Sequence, residues 1–438
     1  MKKLEQVFET KGVIPRSVVI ALTLVFSIHI RLVQAGDPLT LEAALNQAQK
    51  SNPELAAASA KADAAHSAIR SQYWLDNPRL GLMQEKNLYL MQGPMGPELG
   101  TMNTWSVTQD IKFPAKYLLM GSAQKSRART ADVESLDKKL EIRKRIISSY
   151  YNLFAADRIV SLLEAERESL REVARSAESR HSTGSVPQQD EMKAHVEQTK
   201  IEGEILSAQE ERETAAAALD ALLNPSDPVS IELPKEELSP PKLTLASAEI
   251  RKLESTSSSH IQMARAQSEE ADANQALARW SYAPDFSVFY KKAWSGAPAD
   301  NYSVGVEISL PLWFFMKQTS EASAASSQAI AADKNLERAH LDHTAQVRSL
   351  TAKVTSSERL LQIYQTALIP QANSTLNSSR AAYRAGRVNF LELLDSERSL
   401  YAVRVTYYRT LSQYVETLSE LEKVLGQSVS TLPKGDLL

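Results

Sequence analysis

The sequence predicts a mainly α-helical chain that also contributes strands to a transmembrane β-barrel, and three observations predict it. Glycine is scarce, at 14 of 438 residues, and helix-favouring Ala, Leu, Glu, Gln and Lys are abundant. Two segments, Trp105 to Pro114 and Tyr302 to Pro311, alternate apolar and polar residues and stop at a proline. Each feeds a very long stretch of helical character, so the chain reads as one plan written twice.

Composition narrows the class before any element is placed. With 43% hydrophobic and 24% charged residues and a net charge of -3, neither disorder nor nucleic-acid binding is indicated. The absence of cysteine excludes disulfides, thiolate metal sites, cysteine nucleophiles and a lipid-modified amino-terminal cysteine. Residues 1–35 read as a secretory signal: Lys2, Lys3, Lys11 and Arg16, an apolar run from Val18 to Ile28, then Val33-Gln34-Ala35 before the cleavage point. A single membrane anchor is the alternative, although the run is short and Arg31 closes it. No later stretch is long and apolar enough to span a bilayer as a helix, so any crossing falls to strands.

The first repeat covers residues 36–223. A short amphipathic helix opens at Leu39-Thr40-Leu41 and ends near Ser51, and Asn52 with Pro53 caps and starts a helix reaching about Leu75. Residues 78–114 form a hairpin whose tip contains Gly93-Pro94-Met95-Gly96-Pro97, and in its returning strand Trp105, Val107, Ile111 and Phe113 share a face. Residues 115–181 form one helix roughly 100 Å long, with Val133, Leu140, Ile147 and Phe154 seven apart. Gly184-Ser185-Val186-Pro187 turns the chain into a helix over 187–223. That helix and the one from Pro53 together match the long helix in length, and can run beside it as a broken partner.

A proline-rich connector, 224–242, leads into a second repeat over 243–426. Leu243-Thr244-Leu245, Trp280 with Pro284, Tyr302-Ser303-Val304 and Gly386-Arg387-Val388 echo their counterparts at offsets of about 200. Its hairpin covers 284–311, its long helix 315–385 and its last helix 388–426, leaving a polar tail at 427–438. Val347, Val354, Leu361 and Leu368 repeat the seven-residue seam, and Pro370 predicts a kink.

Strands of nine or ten residues match the length that crosses a bilayer at a tilt. Four strands cannot close a barrel, so closure requires several copies of the chain. Tyr302, Val304, Val306, Ile308 and Leu310 would then face lipid, and Ser303, Gly305, Glu307 and Ser309 the lumen. A small soluble sheet packed on helices is the competing interpretation of the same alternation.

Leu39 to Leu45, Asn52-Pro53-Glu54-Leu55, Trp280 with Pro284, Tyr302-Ser303-Val304 with Leu310-Pro311-Leu312, and the glycine turns resemble the TolC family of outer-membrane efflux proteins. The resemblance covers nearly all of the chain after residue 35. It implies a homotrimer in the bacterial outer membrane, with twelve strands in one barrel and a periplasmic tunnel of helices. The implied partners are a periplasmic adaptor, an inner-membrane pump and outer-membrane lipid, with no cofactor. It also implies adaptor docking at Gly184, Ser185, Val186, Gly386, Arg387 and Val388. Asn373, Asn377, Arg380 and Arg384 are candidates for the periplasmic entrance. Aspartate is absent from Tyr364 to Arg387, a departure from the acidic constriction usual in that family.

Catalytic and metal sites are not predicted. His340, Asp342 and His343 lack a nearby further ligand, and His343 also fits a seven-residue series with Leu336 and Leu350. Acidic runs such as Glu164 to Glu168 read as solvated helix faces, and no phosphate loop or nucleophile elbow occurs. Two function classes remain open from the residues: an exit channel for an efflux pump or a type I protein-secretion system, and a soluble periplasmic coiled-coil scaffold.

Overall fold

A computed structural model describes residues 38–89, 98–182, 188–224, 233–234, 236–250, 258–294 and 301–433. The expected leader 1–35, the turn Gly184-Ser185-Val186, the hairpin tip at 93–97 and residues 225–232 and 235 of the connector 224–242 lie outside the described residues. The chain divides into two units, and the second, Leu41–Val229 with Leu238–Leu438, holds every element named below.

Its elements are α1 (Leu41–Ser51), α2 (Pro53–Gln72), β1 (Arg79–Tyr89), β2 (Glu98–Ile111), α3 (Pro114–Ser182), α4 (Gln188–Leu223), α5 (Ser247–Ile250), α6 (Ser259–Arg279), β3 (Asp285–Trp294), β4 (Asn301–Ser309), α7 (Lys317–Ile363), α8 (Ile369–Arg384) and α9 (Phe390–Leu425). The first helix starts at Leu41 rather than Leu39. Asn52 caps α2 by accepting from Glu54 N and Leu55 N, with Pro53 in the first turn, where its missing N–H is not needed.

The 69-residue α3 is packed by α2 on one stretch and α4 on another. The two shorter helices meet end to end. Ser51 Oγ donates to Leu223 O at 2.5 Å, Asn52 Nδ2 to Leu222 O at 3.0 Å and Asn224 Nδ2 to Ser51 O at 3.0 Å, joining the breaks with side-chain bonds. Leu140, Ile147 and Phe154 are buried along α3, as a seven-residue seam requires.

The second long helix is not continuous over 315–385. Residues 312–316 form turns, α7 begins at Lys317, and a π-helical turn, Tyr364–Leu368, precedes α8. Ile369 N reaches back to Tyr364 O, leaving room for Pro370, which has no N–H and whose ring would crowd the preceding turn. The wider turn absorbs one residue. Val347, Val354 and Leu361 are buried seven apart, the next buried apolar residue is Leu376, and Tyr383 follows seven later. The seam therefore steps by fifteen across the bulge, and Leu368 is only half-buried.

The tail is also not simply polar. Val429 and Leu432 are buried, and Leu243 bridges Ser430, because Glu422 of α9 gathers the backbone of this segment.

The four strands form one antiparallel sheet in the order β1-β2-β3-β4, so the two hairpins join through β2 and β3. The pair roots are tied together. Lys116 Nζ donates to Asp285 Oδ1 at 2.8 Å and Ala283 O at 3.0 Å, and Phe113 N donates to the same carboxylate oxygen at 2.9 Å. Phe113 lies beyond the end of β2 and stacks on Trp280 instead of extending the strand's apolar face.

Candidate functional site

In an antiparallel ladder, directly paired residues lie on the same face. The register aligns Leu82 with Trp105, Leu80 with Val107, Val107 with Tyr290, Val288 with Val306 and Phe286 with Ile308. The apolar sets of all four strands therefore fall on one face, which also carries Lys292 between Trp105 and Tyr302 and Gln109 beside Val288. It lies open in the single chain: Leu80 is 80% exposed and Val304 67%. Tyr302, Val306 and Ile308 are exposed with them, and Leu310, one residue past the end of β4, is exposed too.

The opposite face carries Ser303, Gly305, Glu307 and Ser309, together with Ser106, Thr108, Asp110 and Ser287. Gly305 is paired with Phe289, and a Cβ there would come within 2.4 Å of the Phe289 ring. Lys291 Nζ sits 4.4 Å from the centre of that ring. The glycine supplies the space in which an aromatic and its cation lie flat on a polar wall.

The far end of the helices is organised around the turn between α8 and α9. Gly386 has φ of 70°, its N–H donates to Tyr383 O, and Arg387 N donates to Ala382 O at 2.9 Å. This pair of bonds closes a helix with a left-handed residue, a conformation glycine adopts without a Cβ penalty. Arg387 is exposed and Val388 is half-buried against a core shared by α3, α4, α8 and α9, which includes Leu163, Ile201, Leu376 and Phe390. Asn389 then caps α9 by accepting from Glu392 N.

The four entrance candidates separate into two kinds. Asn377 and Arg384 are exposed. Arg380 instead turns to its neighbours, donating through Nε to Glu397 Oε1 at 2.9 Å and through Nη2 to Ser169 Oγ at 2.7 Å. Asn373 accepts from Arg404 at 3.1 Å. A buried carboxylate on α9 demands a cation, and Arg380 is within reach to supply it.

Three functional candidates escaped the sequence reading. Glu392 and Asp395, one helical turn apart and both exposed, bring carboxylates to the second arm of the turn, just beyond the aspartate-free stretch Tyr364 to Arg387. The signal was present as an acidic i,i+3 pair just inside a capped helix start. Glu397 was the third, and its burial was not legible from the run Glu392 to Glu397.

His343 is buried, and burial followed by the charges of His340 and His260 holds its pKa below the usual histidine value. It fits the packing seam of α7 rather than a ligand set. Among the described residues there is no group of three or more His, Cys, Asp or Glu able to hold a metal, and no helix is long and apolar enough to cross a membrane.

A family model described as outer membrane efflux protein matches residues 44–225 and 253–427. The cobalt-zinc-cadmium resistance protein CzcC of Cupriavidus metallidurans is 25% identical over 395 residues, covering 90% of this chain and 91% of that protein. The outer membrane protein TolC of Vibrio cholerae is 21% identical, with 90% and 91% covered. In structure, the CmeC outer membrane channel of Campylobacter jejuni aligns with a TM-score of 0.77 at 13% identity, covering 89% of each chain. CusC aligns at 0.75 and 20% identity, covering 89% of this chain and 92% of its own.

Proposed function

The chain belongs to the outer membrane efflux protein family, and we propose on that premise how its residues build the duct. It is the outer-membrane exit duct of a tripartite efflux system, acting with adaptor and pump components. Three copies contribute twelve strands to one barrel and their long helices to a periplasmic tunnel. The mainly apolar face shared by β1 to β4 supports the lipid-facing assignment of Tyr302, Val304, Val306, Ile308 and Leu310. Ser303, Gly305, Glu307 and Ser309 then line the water-filled lumen.

The adaptor docks at the helix turns, using Gly386, Arg387 and Val388 and the matching Gly184, Ser185 and Val186. This is supported by the exposed, conformationally fixed Gly386 turn set on a shared apolar core, a rigid tip fit to be gripped. Asn377 and Arg384, with Glu392 and Asp395, form the polar surface of the periplasmic entrance. No bond is made or broken in this process; the chain supplies a sealed path and its opening.

The carrying observation is the register that brings four apolar strand sets to one face while leaving two sheet edges without partners among the described residues. Membrane fractionation with chemical cross-linking tests it: the protein is expected in the outer membrane as a trimer. Recovery as a detergent-free soluble monomer would overturn the reading.

A further inference from the structure

Two carboxyl groups meet inside the junction that α3 makes with the α8–α9 hairpin. Glu397 of α9 is 1% exposed. Its Oε1 accepts from Arg380 Nε at 2.9 Å and from Ser169 Oγ at 3.1 Å. Its Oε2 is buried and has no hydrogen-bond donor among the described residues. The neighbouring group able to serve it is another carboxyl, half-buried Glu166 of α3, one helical turn before Ser169 and on the same helix face that meets Glu397. Two ionised carboxylates side by side repel each other, and neither offers a hydrogen; a proton on one turns the contact into a bond.

We propose that Glu166 and Glu397 hold one shared proton, a proton-binding site that fastens α3 to the α8–α9 hairpin when occupied and loosens that junction when empty. Arg380 from α8 pairs with Glu397, and the charges of Arg380 and Arg404 oppose protonation of Glu166, so it is burial and the donorless Oε2 that call for the proton. Ser169 is the further polar group from α3, and Asn373 of α8 holds Arg404 in place. From α4, Glu204 bears on Tyr401 of α9, which also feels Glu166.

Burial, followed by the charge of Glu397, pushes Glu166 up to about 7, against the opposing pull of Arg380 and Arg404. Between the ordinary carboxylate range and that value the folded junction binds more protons than the unfolded chain. Its stability is therefore greatest at mildly acidic pH and is lost as pH rises through neutrality. That this loosening favours opening of the duct rests on the function proposed above; the proton site itself does not.

The test uses the full chain in lipid vesicles and infrared spectroscopy of its carboxyl groups. The wild-type protein should show a carboxylic-acid C=O band at about pH 5.5 that disappears by about pH 8.5, and Glu166→Gln should lack it. Hydrogen exchange of α8 and α9, corrected for the intrinsic rate, should rise about tenfold over the same interval in wild type and stay flat in Glu166→Gln. Arg404→Gln, which keeps both carboxyls, should move the midpoint to higher pH. Absence of the band at the acidic end, or its unchanged titration in Glu166→Gln, would overturn the proposal. A titrating band in a protein that conducts no ions across planar bilayers would uphold the proton site and sink the duct instead.

Discussion

Arg143 Nη1 donates to Glu422 Oε2 at 2.8 Å between side chains only 2% and 1% exposed, joining α3 to α9. The other oxygen of Glu422 accepts from Val429 N, Ser430 N and Ser430 Oγ, and Arg143 Nη2 donates to Pro433 O at 3.0 Å. Glu422→Ala should cost about 3–5 kcal/mol, because it removes the carboxylate that balances a buried guanidinium. Denaturant unfolding would measure the loss, and proteolysis should release the tail beyond Gln427. The double variant Arg143→Met with Glu422→Leu should regain most of the stability while leaving the tail detached.

Gly305 and Phe289 give a second prediction. Gly305→Val places methyl groups where the ring lies, an overpacking cost of about 1–3 kcal/mol. The fraction of detergent-resistant trimer on unheated gels should fall. Adding Phe289→Ala should restore it, since the clash is with that one ring.

The two faces of β4 should tolerate charge unequally. Lysine at Val304 or Val306 should reduce outer-membrane assembly, at about 2–4 kcal/mol near the bilayer midplane. Ser303→Lys should assemble close to normally. Equal yields of all three in the outer-membrane fraction would contradict the inside and outside assignment.

Gly386 separates backbone strain from contact. A Cβ there meets nothing within 4 Å, so Gly386→Ala should cost about 1–2 kcal/mol through its left-handed φ alone. Gly386→Asn should cost less. If the turn is an adaptor grip, binding of the adaptor measured by calorimetry should weaken in the order Ala more than Asn, with trimer assembly unaffected.

Much of the fold was legible because it rests on periodicity. Strict alternation marked β4, proline marked the starts of α2 and α3, and seven-residue spacing found Leu140, Ile147, Val354 and Leu361. The seam reading missed that a π-helical turn before Pro370 shifts the buried series to Leu376 and Tyr383, since Leu368 continues the seven-residue spacing in sequence although it is only half-buried. The candidate site was less legible. Arg380 and Arg384 look alike as i,i+4 neighbours, yet Arg380 answers a buried carboxylate contributed from seventeen positions later and Arg384 is exposed. Glu166 and Glu397 are 231 residues apart, and no local rule pairs them. Only the packing of α3 on α9 does.

The edge strands β1 and β4 carry a consequence for biogenesis. Among the described residues neither outer edge has a strand partner in the chain, and in hydrocarbon each unpaired N–H or C=O group costs several kcal/mol. Such a sheet is stranded at the membrane surface and is a template for unwanted strand pairing. Insertion and subunit association must then be one concerted event, steeply dependent on local protomer concentration, and newly exported chains need a holdase until their siblings arrive.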